Sequence, residues 1–321
     1  MMDMWNVGVD IGGTTIKLAF VTDDGLFVDK WEIPTNTSEN GKHIAKDISY
    51  SIHTKIKENG HSLDHVRGIG LGAPGFIEMS TGFIYQAVNI GWKDYALKEE
   101  LEHETGLPVI IDNDANIAAI GEMWLGAGKG SKDLLCVTLG TGVGGGVIAG
   151  GEVVHGITGM AGEIGHITVI PEGGSPCNCG KTGCLETVSS ATGIRRLALE
   201  ALNSRPSLGL LQTMYEENGD ISTADIFNCA KEQDALSLRI VEKATFYLGF
   251  ALANISMANN PEKIVIGGGV SRAGETLLEP VKRYFKQYAL PRVYEATDIV
   301  IATLGNDAGI LGAAWLAKNK L

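Results

Sequence analysis

Two related α/β halves facing each other across a cleft are what this sequence predicts, and three observations predict them. A strand, a glycine turn and a second strand occur as a unit twice, once around residue 8 and again around residue 137. Short apolar runs bounded by glycine alternate with stretches of helical period along the whole length. The 321 residues, 44% of them hydrophobic, are also enough to build two cores instead of one.

The elements follow in order. Residues 5–11 read as a strand, 14–22 as a second and 26–33 as a third, with turns at Gly12-Gly13 and Asp23-Asp24-Gly25. Ile44, Ile48, Ile52 and Ile56 recur every four residues and give a helix over 42–58 one apolar face. Val66–Leu71 and Val109–Ile111 are further strands, and the second runs into a helix from about residue 113 to 125. After Gly130 the pattern restarts: a strand over 134–139, the turn Gly140-Thr141-Gly142, and a strand over 143–149 that turns back at Gly150-Gly151. Helices over 187–202 and 235–258 come next, then a strand over 263–266 and the triplet Gly267-Gly268-Gly269. A helix over 273–288, a strand over 298–303 and a terminal helix over 307–318 complete the chain. The last helix is expected to fold back on the first half. That gives a small domain of residues 1–117 plus 304–321 and a large one of 118–303.

Bulk charge excludes some functions. A net charge of −12 argues against a broad nucleic-acid or anionic-membrane surface, so an anionic ligand would need a local pocket of backbone N–H groups. The N-terminus lacks a basic segment followed by an apolar one, and the apolar runs are short and broken by glycine. The expectation is therefore a cytoplasmic protein with neither leader nor membrane span. With the first strand starting at about residue 5, no room is expected for an N-terminal DNA-binding module.

Five cysteines is an odd number, unevenly spaced, in a chain too large for a disulfide scaffold. Cys136 lies in an apolar run and Cys229 on a helix, and both read as buried packing. The other three form Cys177-Asn-Cys179-Gly-Lys-Thr-Gly-Cys184, shortly after Glu163-Ile-Gly-His166. His166 with Cys177, Cys179 and Cys184 is one nitrogen and three thiolates, the donor set of a closed structural zinc site. A reduced, metal-free loop is the alternative. A redox role is disfavoured because no Cys-x-x-Cys is present.

Gly140-Thr-Gly142-Val-Gly144-Gly145 matches a dinucleotide fingerprint in form only. Such a site needs a helix after the glycines, and here a β-hairpin follows. Asp10-Ile-Gly12-Gly13-Thr14-Thr15 also turns strand into strand. Either loop alone can be a plain hairpin turn; two, one per half, fit a shared phosphate clamp. Gly267-Gly268-Gly269 serves either close helix–strand packing or an adenine ring laid on bare backbone.

Asp10-Ile-Gly-Gly-Thr14 together with Leu139-Gly-Thr-Gly-Val-Gly-Gly-Gly146 resembles the two phosphate loops of the sugar-kinase, actin and heat-shock-chaperone ATPases. With Glu163-Ile-Gly-His166 and the cysteine triplet added, the whole chain resembles the ROK family (repressors, open reading frames, kinases), and within it the bacterial glucokinases. The resemblance implies a two-domain actin-like ATPase fold of ribonuclease H-like type, with the ligand in the cleft between the domains. It implies ATP-dependent phosphorylation of a hexose, glucose first. Mannose, fructose, N-acetylmannosamine or N-acetylglucosamine are alternatives, and a sugar-responsive regulator is a more distant one. Mg²⁺ would accompany ATP, and Asp10 at a strand end suits a hydrated Mg²⁺. ATP contacts are implied at Asp10, Gly12, Gly13, Thr14, Thr15, Lys17, Gly140, Thr141, Gly142, Gly144 and Gly267, Gly268, Gly269. Gly75 and Asn89 match positions that line the sugar site, and family analogy suggests a homodimer.

Strand Val109–Asp112 ends in Asn113-Asp114-Ala-Asn116 before a helix. Helix capping accounts for one or two of these polar residues. The functional reading makes Asp114 the acceptor of the proton of an attacking hydroxyl, with Asn113 fixing the sugar and the helix start keeping Asp114 ionised. The family carries its catalytic aspartate in this motif. Glu163 and Glu186 bracket the cysteine cluster, and paired carboxylates suit a polyol with many hydroxyl donors. His166 can hold zinc with one ring nitrogen and face a sugar hydroxyl with the other.

Overall fold

A computed structural model describes residues 4–204 and 208–321. Trp5-Asn-Val-Gly-Val-Asp-Ile is buried at nearly every position, the pattern of a strand covered on both faces, and β1 (Trp5–Ile11) is the middle of a five-stranded sheet. Its hairpin partner is β2 (Thr15–Val21), which pairs in turn with β3 (Phe27–Pro34) at the edge. β3 alternates between exposed and half-buried positions, as an edge strand should. Helix α1 (Ile44–Glu58) turns Ile44, Ile48, Ile52 and Ile56 onto this sheet. β4 (Val66–Ala73) runs parallel to β1. A small sheet of β5 (Phe76–Glu78), β6 (Phe83–Ala87) and β7 (Trp92–Tyr95) follows, then α2 (Leu97–Thr105). β8 (Val109–Asn113) joins parallel to β4 and feeds directly into α3 (Asp114–Trp124).

The second half repeats this plan. β9 (Leu134–Leu139) and β10 (Val143–Ala149) form a hairpin, and β11 (Glu152–Val153) adds antiparallel to β10. Helices α4 (Glu186–Ser189), α5 (Ala191–Ser204), α6 (Leu210–Asn218), α7 (Thr223–Lys231) and α8 (Ala235–Asn259) precede β12 (Lys263–Gly267). Then come α9 (Glu275–Tyr288), α10 (Pro291–Ala296), β13 (Asp298–Ile301) and the terminal α11 (Ala308–Lys320). The first sheet has the order β3-β2-β1-β4-β8 and the second β11-β10-β9-β12-β13. In both, two antiparallel pairs lead into two parallel ones, so the halves share one topology.

The terminal helix folds back as expected. It packs on β1, β4 and α3, so α3 and α11 form the layer between the sheets. Bare backbone allows this approach: a Cβ on Gly70 would enter the Ala313 carbonyl, and one on Gly312 the Ile117 carbonyl. Among the described residues, no helix is long and apolar enough to cross a membrane.

Several elements differ from the sequence reading. The helix over 187–202 is broken at Ser190, which is extended and whose hydroxyl accepts the Gly193 N–H at 3.0 Å. The helix over 273–288 begins only after Gly274, at φ 63°, and the strand over 298–303 stops at Ile301. The sheet of β5 to β7 and helices α2, α6, α7 and α10 were not read. α7 carries a legible signal, the capping box of Ser222 and Asp225.

Candidate active site

The two hairpins and the parallel strands beside them place the site. Asp10 of β1 pairs across to Lys17 of β2 and Gly72 of β4, and Gly72 pairs to Asp112 of β8. In the other sheet Thr138 of β9 pairs to Gly144 of β10 and Gly267 of β12. Both rows lie at the carboxyl ends of the parallel strands, where open α/β sheets bind ligands. Between them is a cleft of about 570 Å³.

Of the residues singled out in the sequence, Asp10, Lys17, Gly75, Asn89, Asn113, Asp114, Gly140, Gly142, Gly144, Glu163, His166, Glu186 and Gly268 line this cleft. Gly267 and Gly269 line an adjoining recess of about 260 Å³, which shares Thr138, Gly268 and Asn306 with it. Gly13, Thr14 and Thr141 stand exposed at the tips of the two hairpins. Gly12 and Thr15 close the first turn, the Gly12 N–H donating to the Thr15 carbonyl at 3.0 Å, so that donor is spent within the loop. Thr35 braces the loop from outside. Its N–H donates to the Thr14 carbonyl at 3.0 Å and its hydroxyl to the Gly12 carbonyl at 2.7 Å.

Asn113 and Asp114 do two things at once. Asn113 caps α3, its Oδ1 accepting the Ala115 N–H at 2.9 Å, and Asp114 Oδ1 accepts the same N–H at 2.8 Å. The Asp114 side chain keeps an accessible face toward the cleft, yet protein fills most of the shell around it. Burial is the largest influence on its carboxyl and Asp10 the next, with Glu163 adding to both. They outweigh the helix-start N–H groups and push Asp114 up to about 6. The helix start is thus outweighed, although a carboxyl at about 6 is still mostly ionised at neutral pH. Burial also raises Asp10, partly offset by Lys17.

The histidine–cysteine loop comes together as one cluster. The donor atoms of His166, Cys177, Cys179 and Cys184 all lie within 4.8 Å of one another. His166 Nδ1 is 3.6 Å from Cys177 Sγ, and Cys179 Sγ is 3.6 Å from Cys184 Sγ. Tetrahedral zinc with Zn–S of about 2.3 Å separates its donors by about 3.7 Å, so the four atoms fit such an ion. Hydrogen bonds hold the loop ready: Cys177 N–H to the Lys181 carbonyl at 2.8 Å, Gly183 N–H to Ser175 at 2.9 Å, and Leu185 N–H to Ile167 at 2.9 Å. The other ring nitrogen of His166, Nε2, points away toward Glu163, 3.9 Å from Oε2.

Glu186 connects this loop to the second hairpin. Its Oε2 accepts the Val143 N–H at 2.9 Å and its Oε1 lies 3.8 Å from Cys177 Sγ. A Cβ on Gly142 would collide with that carboxylate, which accounts for the glycine there. The sequence reading missed this link. It also missed Phe76, Thr138 and Asn306 in the cleft wall, and buried Glu122, which accepts N–H groups from Ala127, Thr303 and Leu304. Ala127 is five residues away, but the other two partners, Thr303 and Leu304, lie more than 180 residues on, so the sequence does not mark Glu122 as a link. The glycine-rich segment after α3, Gly126-Ala127-Gly128, wraps around it.

Two sheets of one topology, two glycine hairpins and a cleft between them define a protein of the two-domain actin-like ATPase fold. The chain belongs to the ROK family, whose model matches residues 6–320. It is 59% identical over 320 residues to the glucokinase of Halalkalibacterium halodurans, covering 100% of this chain and 97% of that one. Among solved structures it resembles the ROK hexokinase of Thermus thermophilus, with a TM-score of 0.80 and 35% identity over 97% of each chain. It also resembles a ROK family glucokinase from Streptomyces griseus in complex with glucose and AMPPNP, with a TM-score of 0.76 and 33% identity over 98% of this chain and 99% of that one.

Proposed function

We propose that this chain transfers the γ-phosphoryl group of ATP to the primary hydroxyl of glucose. The observation that carries the reading is the meeting, in one cleft, of Asn113 and Asp114 from one half with Glu163, His166 and Glu186 from the other, beside both glycine hairpins. The full-length similarity to glucokinases supports the choice of sugar.

In this reading the glycine hairpins and Lys17 hold the phosphates of ATP, and the recess beside Gly267, Gly268 and Gly269 takes the adenosine end. Glu163 and Glu186 accept hydrogen bonds from sugar hydroxyls, the His166 Nε2–H donates to a sugar oxygen, and Asn113 fixes the sugar beside Asp114. The Asp114 carboxylate accepts the proton of the attacking hydroxyl. A bond forms from that oxygen to the γ-phosphorus, the bridging P–O bond breaks, and ADP leaves with the electron pair. Asp10 would hold hydrated Mg²⁺, which when bound neutralises phosphate charge. His166 Nδ1 and the three thiolates would hold zinc, which when bound stiffens the sugar-facing loop. The halves close on the sugar and exclude water as a competing acceptor. The chain works in the cytoplasm as a homodimer, a reading that rests on family resemblance and that sedimentation tests.

A coupled ADP-release assay on the purified protein tests the substrate. Glucose is expected to give the highest kcat/KM in a panel with mannose, fructose, N-acetylmannosamine and N-acetylglucosamine. A higher value for any of the others would reassign it.

A further inference from the structure

Asp112 and His155 join the two sides of the cleft directly behind Asp114. Asp112, the last residue but one of β8, is 3% exposed. Its Oδ1 accepts the Asn113 N–H at 2.7 Å and the Asn116 side-chain amide at 2.8 Å, and its Oδ2 lies 2.8 Å from His155 Nε2. His155 follows β11 in the other sheet. Its carbonyl accepts the Ala161 N–H at 3.0 Å, which closes the loop leading to Glu163. One buried carboxylate therefore holds both the backbone that presents Asn113 and Asp114 and the loop that presents Glu163.

We propose that Asp112 and His155 are positioning residues for phosphoryl transfer, setting Asp114 and Glu163 at the separation that grips one hexose. The proposal rests on the kinase reading of the cleft. An ion pair with one fully buried partner adds little net stability compared with apolar residues of the same volume, because desolvation offsets much of the attraction. What it does supply is direction, and a displacement of about 1 Å at a reacting centre can lower a rate about a hundredfold. Asn116 fills the remaining capacity of Oδ1, so Asp112 is held from three sides and cannot swing toward the cleft.

The charged groups around the imidazole are Asp112 from β8 and Lys320 from α11, itself paired with Glu152 of β11. The hydrogen bond to Asp112 raises the His155 pKa above its ordinary 6.5, against burial and Lys320. The charged pair is therefore complete below the unfolded value and is lost as pH rises through the folded one. A neutral imidazole still donates from Nε2, so the tether survives as a plain hydrogen bond.

The test compares wild type with His155→Ala, His155→Gln and Asp112→Asn. His155→Ala is expected to lower kcat/KM for glucose about tenfold to a hundredfold and to weaken glucose binding by calorimetry without ATP, with KM for ATP unchanged. His155→Gln, whose amide nitrogen reaches the same carboxylate, should restore most of the loss. In substrate-free protein the His155 imidazole should titrate above 6.5 by NMR and fall back toward it in Asp112→Asn. If His155→Ala does not fold, His155→Asn, whose shorter amide stops short of Asp112, carries the comparison. Full activity in His155→Ala, equal losses for sugar and ATP, or no recovery with glutamine overturns the proposal alone. A wild type that phosphorylates no sugar removes the kinase reading, and the proposal with it.

Discussion

Asp114 sits where two influences oppose each other. The helix start donates to its carboxylate, while burial and the neighbouring Asp10 and Glu163 disfavour its charge, and the second set wins. A carboxyl at about 6 is a better proton acceptor than an ordinary aspartate and is still mostly ionised at neutral pH. The sign follows directly: the competent form is the deprotonated one, so activity is lost as pH falls through the raised value. The kcat/KM for sugar should therefore halve near pH 6 on its acid limb. An acid limb at the ordinary aspartate value near 4 would show that Asp114 is not desolvated in the free protein. At this scale the sequence was informative about which residues meet and silent about their fields. The motif Asn113-Asp114 was legible because a polar pair at a helix start is conspicuous. The raised carboxyl was not, because Asp10 and Glu163 approach from elements 104 residues before and 49 residues after it.

In the proposed reading, sugar recognition depends on the loop from His166 to Cys184. It has hardly any apolar core of its own, and its shape rests on short hydrogen-bonded turns and on the four donors. Metal analysis of the purified protein is expected to find about one zinc per chain. Chelation should raise KM for glucose several-fold with little change in KM for ATP, because Glu163, His166 and Glu186 all adjoin the loop. An unchanged KM for sugar in metal-free protein would remove zinc from the account. Glu186 also bonds Val143, so some loosening of the second hairpin should accompany zinc loss, visible as faster amide exchange at Val143. The cluster was readable from cysteine spacing alone, since three thiols within eight residues leave few other readings. The three-stranded sheet of β5 to β7 was not, because its strands are three to five residues long and lack a sustained alternation.

For the whole molecule, the repeated hairpin gave away the architecture before any residue had a role. The same topology in both halves puts the two glycine turns face to face, and α3 and α11 hold the sheets at the spacing that leaves a cleft. The helical layers of the second half were harder to read. Residues 208–234 mix polar and apolar positions over short helices whose burial depends on α8, far along the chain. Phosphoryl transfer to sugar at Asp114 is tested most directly by ³¹P NMR of glucose and ATP with wild type beside Asp114→Asn. Wild type should form ADP and a phosphate ester on the primary hydroxyl. The variant should form that ester about a hundredfold to ten-thousandfold more slowly while still binding ATP. ATP hydrolysis to free phosphate without a sugar ester, or an undiminished ester signal from Asp114→Asn, would contradict it.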